Sequence, residues 1–233
     1  MNTIIGFIAK PLGTFLGWLY GILGSYGLAI VVFTIIVKFV LYPLYAKQIS
    51  STAAMSTVQP KMQEIQKKYA NDQDMMNQKM AELYKEEGIN PMGGCLPMLI
   101  QMPIIFGLFA LLRNPLYYMG TSESMMFAVH ESFLWMTDLS QPDKWILPIL
   151  AGVATFISFS MNQPAAAGQS ADMMKSMKYV FPIMIVLMGR TFPSGLTIYW
   201  FLSQFIQIFY NLRMKKVREK ALEGKKKGGK KKK

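Results

Sequence analysis

The chain has 233 residues, 52% of them hydrophobic and only 16% charged, with 20 Met and 15 Phe. That balance excludes an ordinary soluble globule, because long apolar runs separated by short polar stretches read as transmembrane helices. The net charge of +12 is uneven: twelve Lys or Arg and two acids lie from Arg213 onward, so that segment carries +10 and the remainder +2. A basic segment beside a membrane attracts anionic lipid headgroups or RNA phosphate, or acts as a solvated orientation signal. Cys95 is the only cysteine, so no internal disulfide, metal cluster or cofactor is expected.

The fold class expected is an all-α polytopic membrane protein with a five-helix transmembrane core. Residues 1–24 are apolar but interrupted by Lys10 and Pro11, with Gly13, Gly17 and Gly21 at four-residue spacing. They lack the basic start and small-residue cleavage site of a secretory signal, and no lipid-accepting cysteine follows, so lipidation is not expected. An extracytoplasmic interfacial helix is expected here, with a full crossing left open. The glycines either permit close helix contact or are loose filler.

Residues 25–45 form the first expected span and hold Lys38 within "IVVFTIIVKFVLYPL". Residues 46–91 turn polar and helical. Met55, Val58, Met62, Ile65 and Tyr69 recur at helical spacing, Asn71 and Asp72 interrupt, and Met76, Met80, Leu83 and Tyr84 resume. With Asp74 as candidate N-cap and Gly88 as stop, this predicts a cytoplasmic amphipathic hairpin whose seam is its own packing or a partner stripe. The second span covers 92–112. Residues 113–144 form an extracytoplasmic loop with two basic and four acidic residues, and Trp135 suits an interface. The third span is 145–161, followed by a cytoplasmic connection at 162–176. A short fourth span with Pro182 occupies 177–192, the "TFPSG" turn leads into the fifth at 193–212, and 213–233 is a basic cytoplasmic tail. Five spans put the ends on opposite sides, and the positive-inside rule places the tail and hairpin in the cytoplasm and the N-terminus outside.

An ammonium at mid-bilayer costs roughly 2.5–3.5 kcal/mol on insertion scales. Lys38 lies seven residues from Tyr45, about 10 Å along a helix. Its stem could snorkel part of that distance; a wet cavity is the preferred explanation. Thr34 lies one turn away on the same face. In the fifth span Tyr199, Ser203, Gln207 and Asn211 fall at i+4 steps, with Trp200 and Gln204 beside them, and Gln101 gives the second span an amide. Converging, these residues would line a hydrophilic groove holding one positive charge with no intramembrane acid to neutralise it. The alternative for the stripe is helix-to-helix hydrogen bonding.

"FTIIVKFVLYPL", "LYKEEGINPMGGCLPMLIQMPI" and "FPSGLTIYW" closely resemble the YidC-type membrane protein insertases, related to the mitochondrial and chloroplast insertases, in their short form. The likeness runs from about residue 20 to 212. It implies that Lys38, with Thr34, Tyr199 and Trp200, belongs to a groove open to cytoplasm and lipid but closed outside. Family members more often have arginine at this position; lysine keeps the charge but lacks the planar donor fork. The resemblance further implies a bacterial cytoplasmic membrane protein that releases transmembrane helices of nascent membrane proteins into lipid. Partners would be those clients, the ribosome through the basic tail, the Sec translocon and anionic lipids.

No enzyme is expected. Ser194 in "PSG" and the only histidine, His130, belong to a turn and an outside loop, and no aspartate lies in a span, so no serine–histidine or paired-aspartate site forms at membrane depth. No phosphate-binding glycine loop is present. A small-anion transporter using the same charged groove remains the alternative, although no internal repeat supports it. A passive scaffold leaves Lys38 without purpose.

Overall fold

The computed structural model describes residues 2–88, 96–119, 123–161 and 169–230, and the regular secondary structure of those segments is helical apart from a single bridge between Phe133 and Met136. The first apolar helix, α1 (Asn2–Leu23), ends where Gly24 adopts φ +64°, a conformation that a Cβ disfavours. Helix α2 (Tyr26–Val40) starts immediately afterwards. Its N-cap Ser25 makes no side-chain cap. The Glu131 carboxylate does so from afar, accepting the Tyr26 N–H at 2.8 Å and the Tyr20 hydroxyl at 2.8 Å. One loop carboxylate thus joins the end of α1 to the start of α2.

Helix α2 stops at Leu41, and α3 (Tyr42–Lys68) follows with Pro43 in its first turn, a position that needs no intrahelical N–H. The expected first span is therefore two helical pieces. Helix α4 (Gln73–Glu86) completes the hairpin. Val58, Met62, Met76, Met80 and Leu83 bury one another, with Ile65, Tyr69 and Tyr84 packed alongside, so the described part of the seam is the hairpin's own core. The N-cap is Asp72, not Asp74: the Asp72 Oδ1 accepts the Met75 N–H at 3.0 Å while its backbone is extended, and Asp74 lies inside the first turn. Gly88 ends the helix at φ +62°, as expected. Met55 of the expected seam lies outside the residues whose side chains are described.

Helix α5 (Leu96–Arg113) follows the undescribed residues 89–95, which include the expected start of the second span. The 113–144 segment is more ordered than a plain loop: it contains α6 (Pro115–Met119), α7 (Glu123–Ala128) and the Phe133–Met136 turn. Helix α8 (Ile146–Met161) is capped by Asp143, which accepts the N–H groups of Trp145 and Leu147 and the Trp135 indole N–H. Helix α9 (Gln169–Gly189) carries Pro182 inside it and begins within the stretch expected to be a connection. Helix α10 (Ser194–Lys230) runs unbroken from the fifth span into the basic tail, which was expected as a separate element.

Helix α10 is the central strut, packing on α8, α2, α3 and α5; α9 lies on α8, and α1 lies on α5, α2 and α6. Close contacts need small residues: a Cβ on Gly13 would stand 2.7 Å from the Tyr118 carbonyl oxygen, whereas Gly21 of the same ladder faces open space. Leu16, Ile30, Phe33, Leu108, Leu111, Leu139 and Tyr199 form the core. Outward, Ile149, Val153, Phe156, Ile183 and Leu187 are exposed. Such a contiguous apolar exterior suits lipid and not water.

Among the described residues, only Gly6–Leu23 is both long and apolar enough to cross a membrane by length and composition alone. That segment is the one expected to lie at the interface. Shorter apolar helices occupy Tyr26–Val40, Met102–Arg113, Ile146–Met161 and Ser176–Gly189.

Candidate functional site

The apolar faces of α2 and α10 meet around a cation. Lys38 is only 4% exposed, and its Nζ donates to the Tyr45 hydroxyl at 3.3 Å while standing 5.1 Å from the Tyr45 ring centroid. Seven residues are close to two helical turns, so Lys38 and Tyr45 share a face; Leu41 keeps right-handed helical angles, and the Leu41 and Tyr45 N–H groups bond back to Val37 and Leu41 across the junction of α2 and α3. Tyr45 in turn lies against Tyr210, ring centroids 5.7 Å apart, and within electrostatic reach of Tyr199. Tyr210 closes the arrangement by donating its hydroxyl to the Lys38 carbonyl at 3.1 Å. That carbonyl belongs to the last turn of α2, where intrahelical donors run out. Tyr42 adds a third ring, 5.3 Å from Tyr210 and under the Arg213 guanidinium.

Among the described residues the ion pairs are Lys61–Glu87, Lys79–Glu82 and His130–Asp138, none of which touches Lys38. The lysine is thus covered by phenols and has no carboxylate partner among those residues. An ammonium in this setting is stabilised by hydroxyl dipoles and ring quadrupoles. It retains two N–H donors for another acceptor.

Thr34 is fully buried one turn below Lys38, and its Oγ1 donates to the Ile30 carbonyl at 2.7 Å, leaving its lone pairs to accept. Tyr199 and Ser203 are buried on the same helix face. The rest of the stripe divides. Trp200 turns toward α8, its Nε1–H donating to Thr155 Oγ1 at 3.1 Å. Gln207 donates to the Asn211 side-chain oxygen at 3.2 Å, and Asn211 Nδ2 donates to the Ser158 carbonyl at 3.0 Å. Gln204 is half-buried, and the Gln101 side chain lies outside the described part of α5. Of the expected residues, Trp200 and Asn211 thus bond to α8, with Gln207 bonded to Asn211, while Thr34, Tyr199 and Ser203 are buried.

Sequence reasoning missed four of the polar residues that build this region. Tyr45 and Tyr210 carried a weak signal as tyrosines at the polar edges of apolar runs. Thr155 and Ser158 sit at i+3 on α8 and would have been found by asking which third-span hydroxyls face the stripe.

At the other end of the bundle, the serine and histidine considered for hydrolysis are not assembled for it. The Ser194 hydroxyl donates to the Gln141 carbonyl at 2.6 Å, far in sequence but adjacent in the fold. His130 contacts Asp138 and Ser140, both through Nδ1 at 3.0 Å. A relay needs acid and nucleophile on opposite ring nitrogens, so this cluster is a loop clamp.

Comparison with known proteins agrees with the helical architecture. The family model described as 60Kd inner membrane protein matches residues 18–221. A protein of Fusobacterium nucleatum named "Membrane protein insertase YidC" is 41% identical over 186 residues, covering 79% of this chain and 83% of that protein. One of the same name from Wolinella succinogenes is 40% identical over 217 residues, covering 92% of this chain but only 38% of the relative. The solved structure titled "Active YidC insertase crystal structure with the first transmembrane domain resolved" superposes with a TM-score of 0.62 at 31% identity, over 86% of this chain and 44% of that one. The chain thus spans most of the first relative and less than half of the other two. By sequence and by fold, this chain belongs to the YidC-type membrane protein insertases, the family described as 60Kd inner membrane protein.

Proposed function

We propose that this chain is a membrane protein insertase that receives hydrophilic segments of nascent membrane proteins in a cytoplasm-open groove around Lys38 and releases their transmembrane helices into the bilayer. The observation that carries the reading is the Lys38 ammonium, buried on an apolar helix with a phenol and no acid as its described partner. A fixed cation among hydroxyls lowers the desolvation cost of an acidic, hydrated client segment. Client entry displaces the Tyr45 ring and hydroxyl that cover it. The exposed apolar sides of α8, α9 and α10 then offer the client helix a path into lipid, and its burial drives release. No covalent step is needed.

In this reading the spans are 25–45, 92–112, 145–161, 177–192 and 193–212, with the hairpin and tail cytoplasmic and the 113–144 segment outside. The sign of the charges supports that orientation, since the basic residues crowd the tail. The fourth span is the short one: its apolar helical part, Ser176–Gly189, is about 21 Å long, shorter than the ~30 Å hydrocarbon core. A local thinning of the bilayer around it shortens the client's remaining barrier. The basic tail meets ribosomal RNA or anionic headgroups, and the hairpin recruits the client, with or without the Sec translocon.

The test is protease protection of a small membrane protein with an acidic translocated tail, added to liposomes that contain the purified chain. Protection above empty liposomes is expected. Background protection together with release of an entrapped small anion would overturn insertion in favour of anion transport.

A further inference from the structure

Twelve residues before Lys38, roughly 18 Å along α2, the opposite end of the bundle holds a cavity of about 390 Å³. It lies between the C-terminal end of α5, α6, the segment after α7 and the Pro193–Gly195 turn. Its apolar wall includes Leu112 and Leu139, and its polar groups include Arg113, Asn114, His130 and Ser140. Tyr117, 74% exposed, stands at the mouth.

The charges around this cavity are unequally engaged. Asp138 is held by His130 and by the Ser140 hydroxyl and N–H. Glu131 accepts from Tyr20 and from the Tyr26 N–H. Both nearby carboxylates therefore have their hydrogen bonds supplied. Arg113 does not: its described contact is the face of Phe109, 5.6 Å from the ring centroid, which steadies the guanidinium plane without using its N–H donors. An exposed guanidinium at the edge of a half-open cavity, with donors that no described partner takes up, is suited to a planar or tetrahedral oxyanion. His130 meets both Asp138 and Ser140 through Nδ1, which leaves its Nε2 on the other side of the ring for a ligand.

We propose that this cavity is a phosphate-binding site, with Arg113 as the principal ligand-contacting residue, His130 and Asn114 as secondary donors, and the apolar wall accommodating whatever the phosphate is attached to. The phosphate belongs either to a phospholipid headgroup or to a free phosphate ion. Tyr117 at the mouth, an aromatic with a polar tip, suits the headgroup level of a bilayer. The site rests on residues distinct from the Lys38 region and stands whether or not that region inserts clients.

His130 is the only histidine of the chain, so isotope-labelled histidine gives a single imidazole reporter inside the cavity. The full chain in a neutral detergent is titrated with short-chain phosphatidylglycerol and, separately, with inorganic phosphate, against chloride at matched ionic strength. A saturable shift of the imidazole signal is expected in the wild type, weakened at least tenfold in Arg113→Gln and only partly in Arg113→Lys. A response to phosphatidylglycerol alone identifies a headgroup site, and an equal response to inorganic phosphate identifies a free-phosphate site. Arg113→Lys, which keeps the charge, should leave the unliganded signal in place, which checks that the cavity is intact. No saturable shift beyond the chloride control, or equal binding by wild type and Arg113→Gln, would overturn the proposal.

Discussion

The Lys38 Nζ lies 3.3 Å from the Tyr45 hydroxyl, although the two residues belong to different helices that meet at Leu41. The backbone stays right-handed helical through Leu41, and the seven-residue spacing, close to two turns, places a phenol over a buried cation.

Replacing that hydroxyl tests whether water can take its place. A hydrogen bond to a charged group contributes about 1.5–3 kcal/mol when nothing replaces it, and far less when water does. For a groove that wets, Tyr45→Phe destabilises the protein by less than about 1 kcal/mol, whereas Tyr45→Ala, which also removes the ring packed on Tyr210, loses roughly 3 kcal/mol or more. Reversible unfolding of both variants in detergent measures the difference. A Phe variant as unstable as the Ala variant would mean that Lys38 sits in a dry site.

The α8-facing polar pairs should behave as glue between helices. Intramembrane hydrogen bonds contribute about 0.6 kcal/mol on average and under about 2 kcal/mol at most. A double-mutant cycle of Trp200→Phe with Thr155→Val is therefore expected to give a coupling in that range, with client insertion little changed. Insertion collapsing in the Thr155→Val variant alone would move Trp200 from the helix interface to the client path.

In the hairpin, Asp72→Ala removes the cap of α4 and loosens residues 73–86 by about 0.5–2 kcal/mol, read as faster hydrogen exchange of that helix in the full chain. Asp74→Ala, which loses only a favourable charge in the first turn, should change it by less than about half as much. Equal effects would relocate the cap.

Acid should loosen the clamp on the start of α10. Burial alone would raise the Asp138 carboxyl, but the Ser140 hydroxyl and the His130 ring outweigh it and hold the group below its ordinary value. A depressed carboxylate contributes stability above its unfolded value, near pH 4, and that contribution disappears as pH falls through the lower folded value. Hydrogen exchange around residues 138–141 should thus rise below about pH 4 in the wild type. In Asp138→Asn it should be already raised at neutral pH and nearly flat across that window; a variant with the wild-type profile would contradict the assignment.

Gly27 gives a packing test. A Cβ there would overlap the Phe133 ring, so Gly27→Ala forces the loop aside and costs about 1–3 kcal/mol. Phe133→Leu in the same chain should recover part of that loss. No recovery would show that the strain lies elsewhere.

Periodicity made the hairpin legible, since Met62, Met76 and Met80 needed only helical spacing to be assigned to one seam. It could not choose between Asp72 and Asp74 as the cap, because both are acids near the helix start and the choice is made by backbone angle. The i+4 stripe on α10 was visible, but not how the helix is rotated: whether Trp200 faces Lys38 or α8 depends on packing against Thr155, 45 residues away. Nor could any local pattern reveal that Gln141 and Leu139 would accept from the start of α10. Lys38 stood out for the simplest reason, a charge where apolar neighbours make charge expensive.

The central claim, that the Lys38 charge carries insertion, is tested most directly by comparing Lys38→Arg and Lys38→Ala with the wild type in liposomes, using one client with an acidic translocated tail and one with a neutral tail. The account predicts that Arg retains protection of the acidic tail, that Ala loses at least about tenfold, equivalent to ~1.4 kcal/mol, and that the neutral tail is less affected. Equal insertion of the acidic tail by all three proteins would contradict it.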